Sequence, residues 1–347
     1  MWKNLNCPLN DKLEKCDSEI LLSNQIPEAL KIPDNIKIEI YEENNDIPYD
    51  KIIQFINEND KLSGNITLID KEKIDRLLKN NSYFGVVFNK ENEIIGTMCS
   101  ISISLKYNDE KINSSYTTYL CIHPDYRNKN LAMLLISSII NKGARILNVN
   151  HGYYIVDNKI HNINNTIQTW YRIINYKKAK NANYTMYKFP GKIREKLYYH
   201  ISDAPIDQLI NPTVENYEKF LSFLDSKDKL TFYPSSYKYF KNICITFDIY
   251  MNDKGFFMLF PIDSLILNNV SKNILMNNVF LVLMIGDLFN ELLYISKKYD
   301  VIYGKTFGNL NEELIIKNKC LKTKNKILEF YNQKEIINLD KIFIPII

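Results

Sequence analysis

A chain of 347 residues, 46% hydrophobic and 24% charged, can bury one large core or two of ordinary size, which excludes a disordered chain and a small disulfide-stapled one. Its net charge of +4 comes from 44 basic and 40 acidic residues interleaved along the sequence, which excludes a continuous nucleic-acid stripe. The six cysteines contain no C-x-x-C pair and the four histidines are scattered, so no metal site is expected.

The opening "MWKNLNCPLNDKLEK" has no apolar core of signal-peptide length, and an arm to about Asn35 reads as irregular. "IKIEIYE" alternates as a strand; "YDKIIQFINEND" and "KEKIDRLLKN" read as helices. Residues 83–124 carry three strands with polar turns at Asn89–Glu93 and Asn108–Glu110, followed by a helix from about Asn130 and a strand "GYYIV". A Trp–Tyr-rich segment leads to an expected strand "NYTMYKF" ending at Pro190. Beyond Pro212, "TVENYEKFLSFLDS" reads as a helix, and "NICITFDIYM" and "GFFMLFPIDSLIL" as strands around an Asn252–Gly255 turn. "VFLVLMIGDLFNELLYISKKY" reads as one long apolar helix. Its most apolar run, "NVFLVLMIGDLF", is short and contains Asp287, so it reads as a buried helix and not as a transmembrane segment. "DVIYGK" and "KILEFYN" close the series as strands. The order of elements repeats, so an α/β protein of two similar halves in one body is expected, in a reducing, cytoplasmic setting. The boundaries are an arm over 1–35, a first half over 36–190 and a second over 191–347.

One stretch carries chemistry. In "YLCIHPDYRNKNLAMLL" a strand ends in a turn that offers Arg127 and Lys129 just ahead of a helix, with Asn130 at the N-cap position. Free N–H groups at a helix start together with two cations make a pyrophosphate site. The plainer alternative is a surface turn that happens to be basic. A glycine-rich loop is absent, so neither a P-loop nor a dinucleotide fingerprint is present.

The spacing Arg127-Asn-Lys-Asn-Leu-Ala132 resembles the R/Q-x-x-G-x-G/A acyl-CoA pyrophosphate loop of the GNAT acyltransferases. The longer run Tyr119–Ala132 is similar to the N-F-L-C-V-H-x-x-L-R-S-K-R-L-A-P signature of the glycylpeptide N-myristoyltransferase family, matching at Leu120, Cys121, His123, Arg127, Lys129, Leu131 and Ala132. Asn130 replaces an arginine and Met133 a proline. "TWYRIINYKKA" resembles the family's Y-W-H-R-S-L-N-P-K-K-L, "IGDLFNELLYISKKYDVIY" its L-D-L-M-N-D-A-L-V-L-A-K-x-K-G-F-D-V-F, and "ILEFYN" its L-x-Y-Y-L-Y-N. These collinear matches extend from Tyr119 to Ile347.

The resemblance implies two GNAT-like halves with pseudo-twofold symmetry, acyl-CoA bound by the first half and peptide by the second. It implies transfer of a myristoyl group from myristoyl-CoA, as co-substrate, to the N-terminal glycine of a protein, with no permanent cofactor and no metal. The oxyanion would be met by the backbone amides of Tyr119 and Leu120, and the base would be the α-carboxylate of Ile347. Acyl-CoA would be held by Cys121, Ile122, Arg127, Asn128, Lys129, Asn130, Leu131 and Ala132, with Trp2 in an N-terminal arm lying over it. The peptide groove would include Gly152, Trp170, Asn175 and Tyr171, the last standing where the family has a histidine. The family's acidic loop is reduced to Glu58 and Asp60, while Asp287 and Asp300 read as helix and turn residues. The partners implied are glycine-started proteins, with no nucleic acid, for a compact monomer of viral or minimal-parasite type. The other readings are a GNAT enzyme acetylating a small amine, favoured by the loop alone, and a non-catalytic acyl-CoA or lipopeptide binder, favoured by the changes at Asn130 and Tyr171.

Overall fold

The computed structural model describes residues 30–347 except 44, 63, 64, 80, 81, 148, 150, 157–165, 183–200, 202–209, 225–228, 267–273, 307–309, 311, 332–341, 346 and 347. Along the chain come β1 (Lys37–Tyr41), α1 (Tyr49–Asn59), β2 (Lys61–Leu62), β3 (Asn65–Leu68), α2 (Lys71–Leu78), β4 (Tyr83–Phe88), β5 (Ile94–Tyr107), β6 (Glu110–Ile122), α3 (Leu131–Leu147), β7 (His151–Val156), β8 (Thr166–Ile173) and α4 (Tyr176–Asn181). There follow α5 (Val214–Ser222), β9 (Leu230–Phe232), α6 (Tyr237–Thr246), β10 (Asp248–Met251), β11 (Phe256–Ile266), β12 (Ile274–Ile285), α7 (Phe289–Ile295), β13 (Val301–Lys305), α8 (Glu312–Lys317), β14 (Leu321–Tyr331) and β15 (Ile342–Phe343).

The strands form one mixed sheet in the order β1-β4-β5-β6-β7-β14-β8-β13-β12-β11-β3-β2. Its two sides repeat one plan. β4, β5 and β6 run antiparallel, and β6 then pairs parallel with β7 across α3. β10, β11 and β12 run antiparallel, and β12 pairs parallel with β13 across α7. The order is therefore a palindrome about β14 and β8. At its centre β14 is antiparallel to β7, and β8 is antiparallel to β13. Each half lends a strand to the other, and the α/β fold of two similar halves in one body follows.

Two sequence expectations are corrected. The long helix expected from Val279 to Tyr299 is instead β12, a turn, and the short α7. β12 lies between β11 and β13, and a strand covered on both faces needs a continuous apolar run, which periodicity alone cannot tell from a buried helix. Gly286 ends it: its φ is +92°, and a Cβ there would sit 2.3 Å from the Lys254 carbonyl oxygen. The strand expected from Asn242 begins only at Asp248, because Asn242–Thr246 completes α6. The Ser236 hydroxyl accepts from the Tyr239 amide to cap that helix, which buries Phe240 and Ile243 on one face. The strand expected over "NYTMYKF" lies outside the described residues. Among the described residues no helix is long and apolar enough to cross a membrane.

Candidate functional site

The site begins with an irregularity in β6. Thr97 of β5 faces Cys121 and Cys99 faces Thr118, so Tyr119 and Leu120 together oppose the single residue Met98. This is a β-bulge, which interrupts the ladder and bends the strand. Tyr119 takes φ +51°, uncommon for a bulky residue, while Leu120 is 45% exposed. The carbonyl of Tyr119 is pinned inward by the buried Thr97 hydroxyl at 3.3 Å. A trans peptide holds its N–H opposite its C=O, so the Leu120 amide points away from Thr97. Burial pushes the Tyr119 phenol well above its ordinary range, with smaller contributions from Cys99, Asp60, Tyr116 and Asp70. Burial also pushes the Cys121 thiol up to about 12, which leaves it a poor nucleophile. Asp60, at the end of α1, is itself raised by burial.

A short rigid turn follows. His123 donates its amide to the Ile95 carbonyl, and its Nδ1 accepts from the Asp125 amide. Arg127 is held against the strand end by an Nε bond of 3.1 Å to the Ile122 carbonyl. Asn128 and Asn130 take φ +61° and +63° on either side of Lys129. Asparagine tolerates this left-handed backbone better than most residues, and such alternation turns successive amides into an anion-sized hollow. The Asn130 carbonyl accepts the first helical bond, from Leu134, and α3 has no acid in its first turn. Leu131, Leu135 and Ile139 anchor the helix on Val87, Ile95 and Met98. The fit is close enough that a Cβ on Gly85 would lie 2.5 Å from Ile139.

Between the bulge and the central strands lies a cleft of about 600 Å³. One wall is Tyr116–Leu120 of β6; the other is formed by Trp170 of β8, Phe280 of β12, Tyr303–Lys305 of β13, and Thr323 and Lys326 of β14. Trp170 is buried and packs over Gly304, where a Cβ would fall 2.2 Å from the indole ring. Only glycine leaves room for it.

Of the residues expected from the sequence, Tyr119, Leu120 and Trp170 line this cleft. Cys121 and Ile122 continue β6 toward the turn that carries Arg127–Ala132. Gly152 is buried in β7, opposite Ser115 and Tyr331. Tyr171 is paired with Tyr303, their rings 6.4 Å apart. Asn175 is committed elsewhere: it accepts from the Lys178 amide to cap α4 and donates to Asp300 at 3.0 Å. Asp300 also receives Lys178 Nζ and the Asn277 amide, a structural knot at the turn before β13. Trp2 and Ile347 lie outside the described residues. The segment ahead of Ile347 is held close to the first wall, since Tyr153 donates its hydroxyl to the Pro345 carbonyl at 2.7 Å and its ring lies 5.2 Å from Tyr116. Sequence reasoning missed Lys305 and Lys326. The one available signal was a lysine closing the apolar strand "DVIYGK".

Residues 74–162 match the family "Myristoyl-CoA:protein N-myristoyltransferase, N-terminal domain". A protein of Amsacta moorei entomopoxvirus named "Putative glycylpeptide N-tetradecanoyltransferase" is 23% identical over 292 residues, which span 82% of this chain and 88% of that one. The chain is thus similar to N-myristoyltransferases, through the family match over residues 74–162 and through a relative aligned along most of its length. The fold agrees with that of a Saccharomyces cerevisiae N-myristoyltransferase crystallised with myristoyl-CoA, at a TM-score of 0.79 and 14% identity over 97% of this chain and 93% of the other. A second structure of the yeast enzyme gives 0.80 and 15%, over 98% and 90%. The family match covers the bulge, the turn and α3, the parts of the site built from backbone.

Proposed function

We propose that this chain is a glycylpeptide N-myristoyltransferase, moving a myristoyl group from myristoyl-CoA to the N-terminal glycine of acceptor proteins as a cytoplasmic monomer. The observation that carries the reading is the Tyr119–Leu120 bulge, which opens on the cleft a few residues before the Asn128–Asn130 turn. The turn and the cations of Arg127 and Lys129 take the pyrophosphate, and the thioester then lies along β6. The glycine nitrogen attacks the thioester carbonyl; as the tetrahedral oxygen gains charge, the amides at Tyr119 and Leu120 bond it. Removing one such donor typically costs about 2.7–4 kcal/mol of transition-state stabilisation. The C–S bond then breaks and the electron pair leaves with the CoA sulfur, while the nitrogen gives its proton to the α-carboxylate of Ile347, the base that the resemblance implies, from which the thiolate can take it.

The amine chemistry favours a chain terminus over a lysine. An α-amino group, with a pKa of about 7.7–8.0, is neutral in roughly one molecule in ten at pH 7, against well under one in a thousand for a lysine side chain. An alkyne-tagged myristoyl-CoA and a pair of peptides differing only in Gly or Ala at the first position test the reading. Label on the glycine peptide alone is expected. Label on neither peptide overturns the proposal, and acetyl transfer to a small amine in its place would make the chain an ordinary GNAT enzyme.

A further inference from the structure

The last strand of the chain leads toward the cleft, and one buried side chain fixes the segment that follows it. Ile342 and Phe343 of β15 pair in parallel with Leu230 and Thr231 of β9, which itself lies against Leu105 and Lys106 of β5. Ile344 is fully buried in the main core. Pro345 comes next. Its ring presets φ and keeps the residue before it extended, so the direction taken after Ile344 is set by covalent geometry. Its carbonyl accepts from the Tyr153 hydroxyl at 2.7 Å. Tyr153 is fully buried in β7 beside its parallel partner Tyr116, their rings 5.2 Å apart. Tyr116 belongs to the wall that carries the Tyr119–Leu120 bulge. Ile347 is two residues beyond Pro345, a span of at most about 7 Å.

We propose that Tyr153 is a positioning residue for proton removal: its hydroxyl, by holding the Pro345 carbonyl, sets where the α-carboxylate of Ile347 meets the acceptor nitrogen. The inference rests on the transferase reading and on Ile347 as its base. Tyr153 does not take the proton itself. Burial raises its phenol well above the ordinary tyrosine range, with smaller contributions from Tyr116 and Tyr239, so it stays a neutral donor. Magnitudes separate this role from a purely structural one. A single hydrogen bond adds little net stability, because the unfolded chain bonds to water instead. A displacement of about 1 Å at a reacting group can cost on the order of 10²-fold in rate. Phenylalanine at 153 would keep the ring beside Tyr116 and lose the tether.

The test compares the full chain with Tyr153→Phe, measuring kcat and KM for a glycine-started peptide and acyl-CoA affinity by isothermal titration. The expected result is a kcat lower by about 10–10²-fold with the acyl-CoA dissociation constant within roughly twofold. Tyr153→4-aminophenylalanine, which keeps a donor at the same place, should retain kcat within about threefold. Tyr239→Phe controls for the loss of a buried hydroxyl. That hydroxyl donates to the Ser102 carbonyl and accepts from the Ser104 amide, and its removal should leave kcat within about twofold. A glycine added after Ile347 displaces the carboxylate and should itself lower kcat. In that background Tyr153→Phe should cost less than about twofold more, because groups that act through one another are not additive. Unchanged kcat in Tyr153→Phe overturns the inference, as does an equal loss in Tyr239→Phe, the same Tyr153→Phe loss in both backgrounds, or a glycine-extended chain working at the full rate. Should Tyr153→Phe not fold, Pro345→Gly keeps the carbonyl and frees the direction of the tail; a fall in kcat is expected there too, and an unchanged value overturns the inference. An unmodified chain that labels no peptide overturns the transferase reading and the inference with it, whereas transfer with any of the contrary results above overturns the inference alone.

Discussion

The two halves of the molecule carry the same device and use it differently. In each, the third strand of the antiparallel set contains a bulge and leads by a short turn into a helix. On β6 the extra residue opens on the cleft at Tyr119–Leu120, and the turn that follows brings Arg127 and Lys129 to a 17-residue helix with no acid in its first turn. On β12 the pairing skips Val282, which is fully buried in the main core. The turn there holds Asp287, and the seven-residue α7 has the buried Glu291 in its first turn, 3.6 Å from Lys254. A helix start already facing a carboxylate repels an anion. One bulge opens on the cleft and the other is packed away. The first half therefore offers backbone donors, and the second half contributes side chains to the opposite wall.

The sharpest way to break this comparison is to remove one N–H from each bulge. Replacing Leu120 by its α-hydroxy acid, which turns the amide into an ester, should lower turnover by about 10²–10³ with acyl-CoA affinity retained. The same change at Val282 should move turnover by less than roughly threefold, because that bulge meets no reacting group. Comparable losses at both would mean that the effect is on the fold.

Next in size is a pH effect confined to the second half. The folded pKa of Lys305 lies below the ordinary lysine value, so between pH 7 and about 10 the unfolded chain binds more protons at this residue. Stability from this group therefore rises with pH across that window. Lys305→Met should be the more stable protein at pH 7, and its advantage should shrink by roughly 2–3 kcal/mol on going to pH 9.5, read from urea midpoints of the two proteins. Buried cysteines and tyrosines with raised pKa values are common to both and cancel in the difference. A constant gap would mean that Lys305 is held charged by a neighbour.

Smaller effects sharpen the picture further. Changing Arg127 and Lys129 together to alanine should raise the acyl-CoA dissociation constant at least about tenfold, or 1.4 kcal/mol, and steepen no salt dependence; Lys254→Ala, at the equivalent helix start, should leave it alone. Isothermal titration at two salt concentrations measures both. Tyr153→Phe, which removes the hydroxyl bond joining β7 to Pro345, should cost about 1 kcal/mol in thermal unfolding.

The first half was the more legible in sequence, for a physical reason. β4, β5 and β6 are separated by polar turns at Asn89–Glu93 and Asn108–Glu110, and Asn92, Asn108 and Asp109 take the positive φ such turns need. Strong local punctuation makes boundaries visible. In the second half the run Val279–Met284 packs into both main core clusters, Val282 and Leu283 in one and Val279, Leu281 and Met284 in the other, so it is apolar on both faces and nothing local distinguishes it from a helix. The bulge itself had no local signature. It is a property of pairing between β5 and β6, so Tyr119 and Leu120 were reached only through a resemblance that extends over neighbouring residues. Lys305 was invisible for the opposite reason: its meaning comes from Trp170, Phe280 and Lys326, which approach it only when three distant strands pair.

The exchanged strands at the centre of the sheet have a consequence during synthesis. β7 is complete at Val156, but its antiparallel partner begins only at Leu321. A ribosome adding about 5–20 residues per second leaves that strand's free edge waiting on the order of ten seconds or more. Until then the nascent first half presents an unpaired row of N–H and C=O groups beside an apolar face, a template for pairing with another chain. A chaperone with affinity for bare strand edges would find its best opportunity in that interval. Expressing the first half by itself would make the exposure permanent.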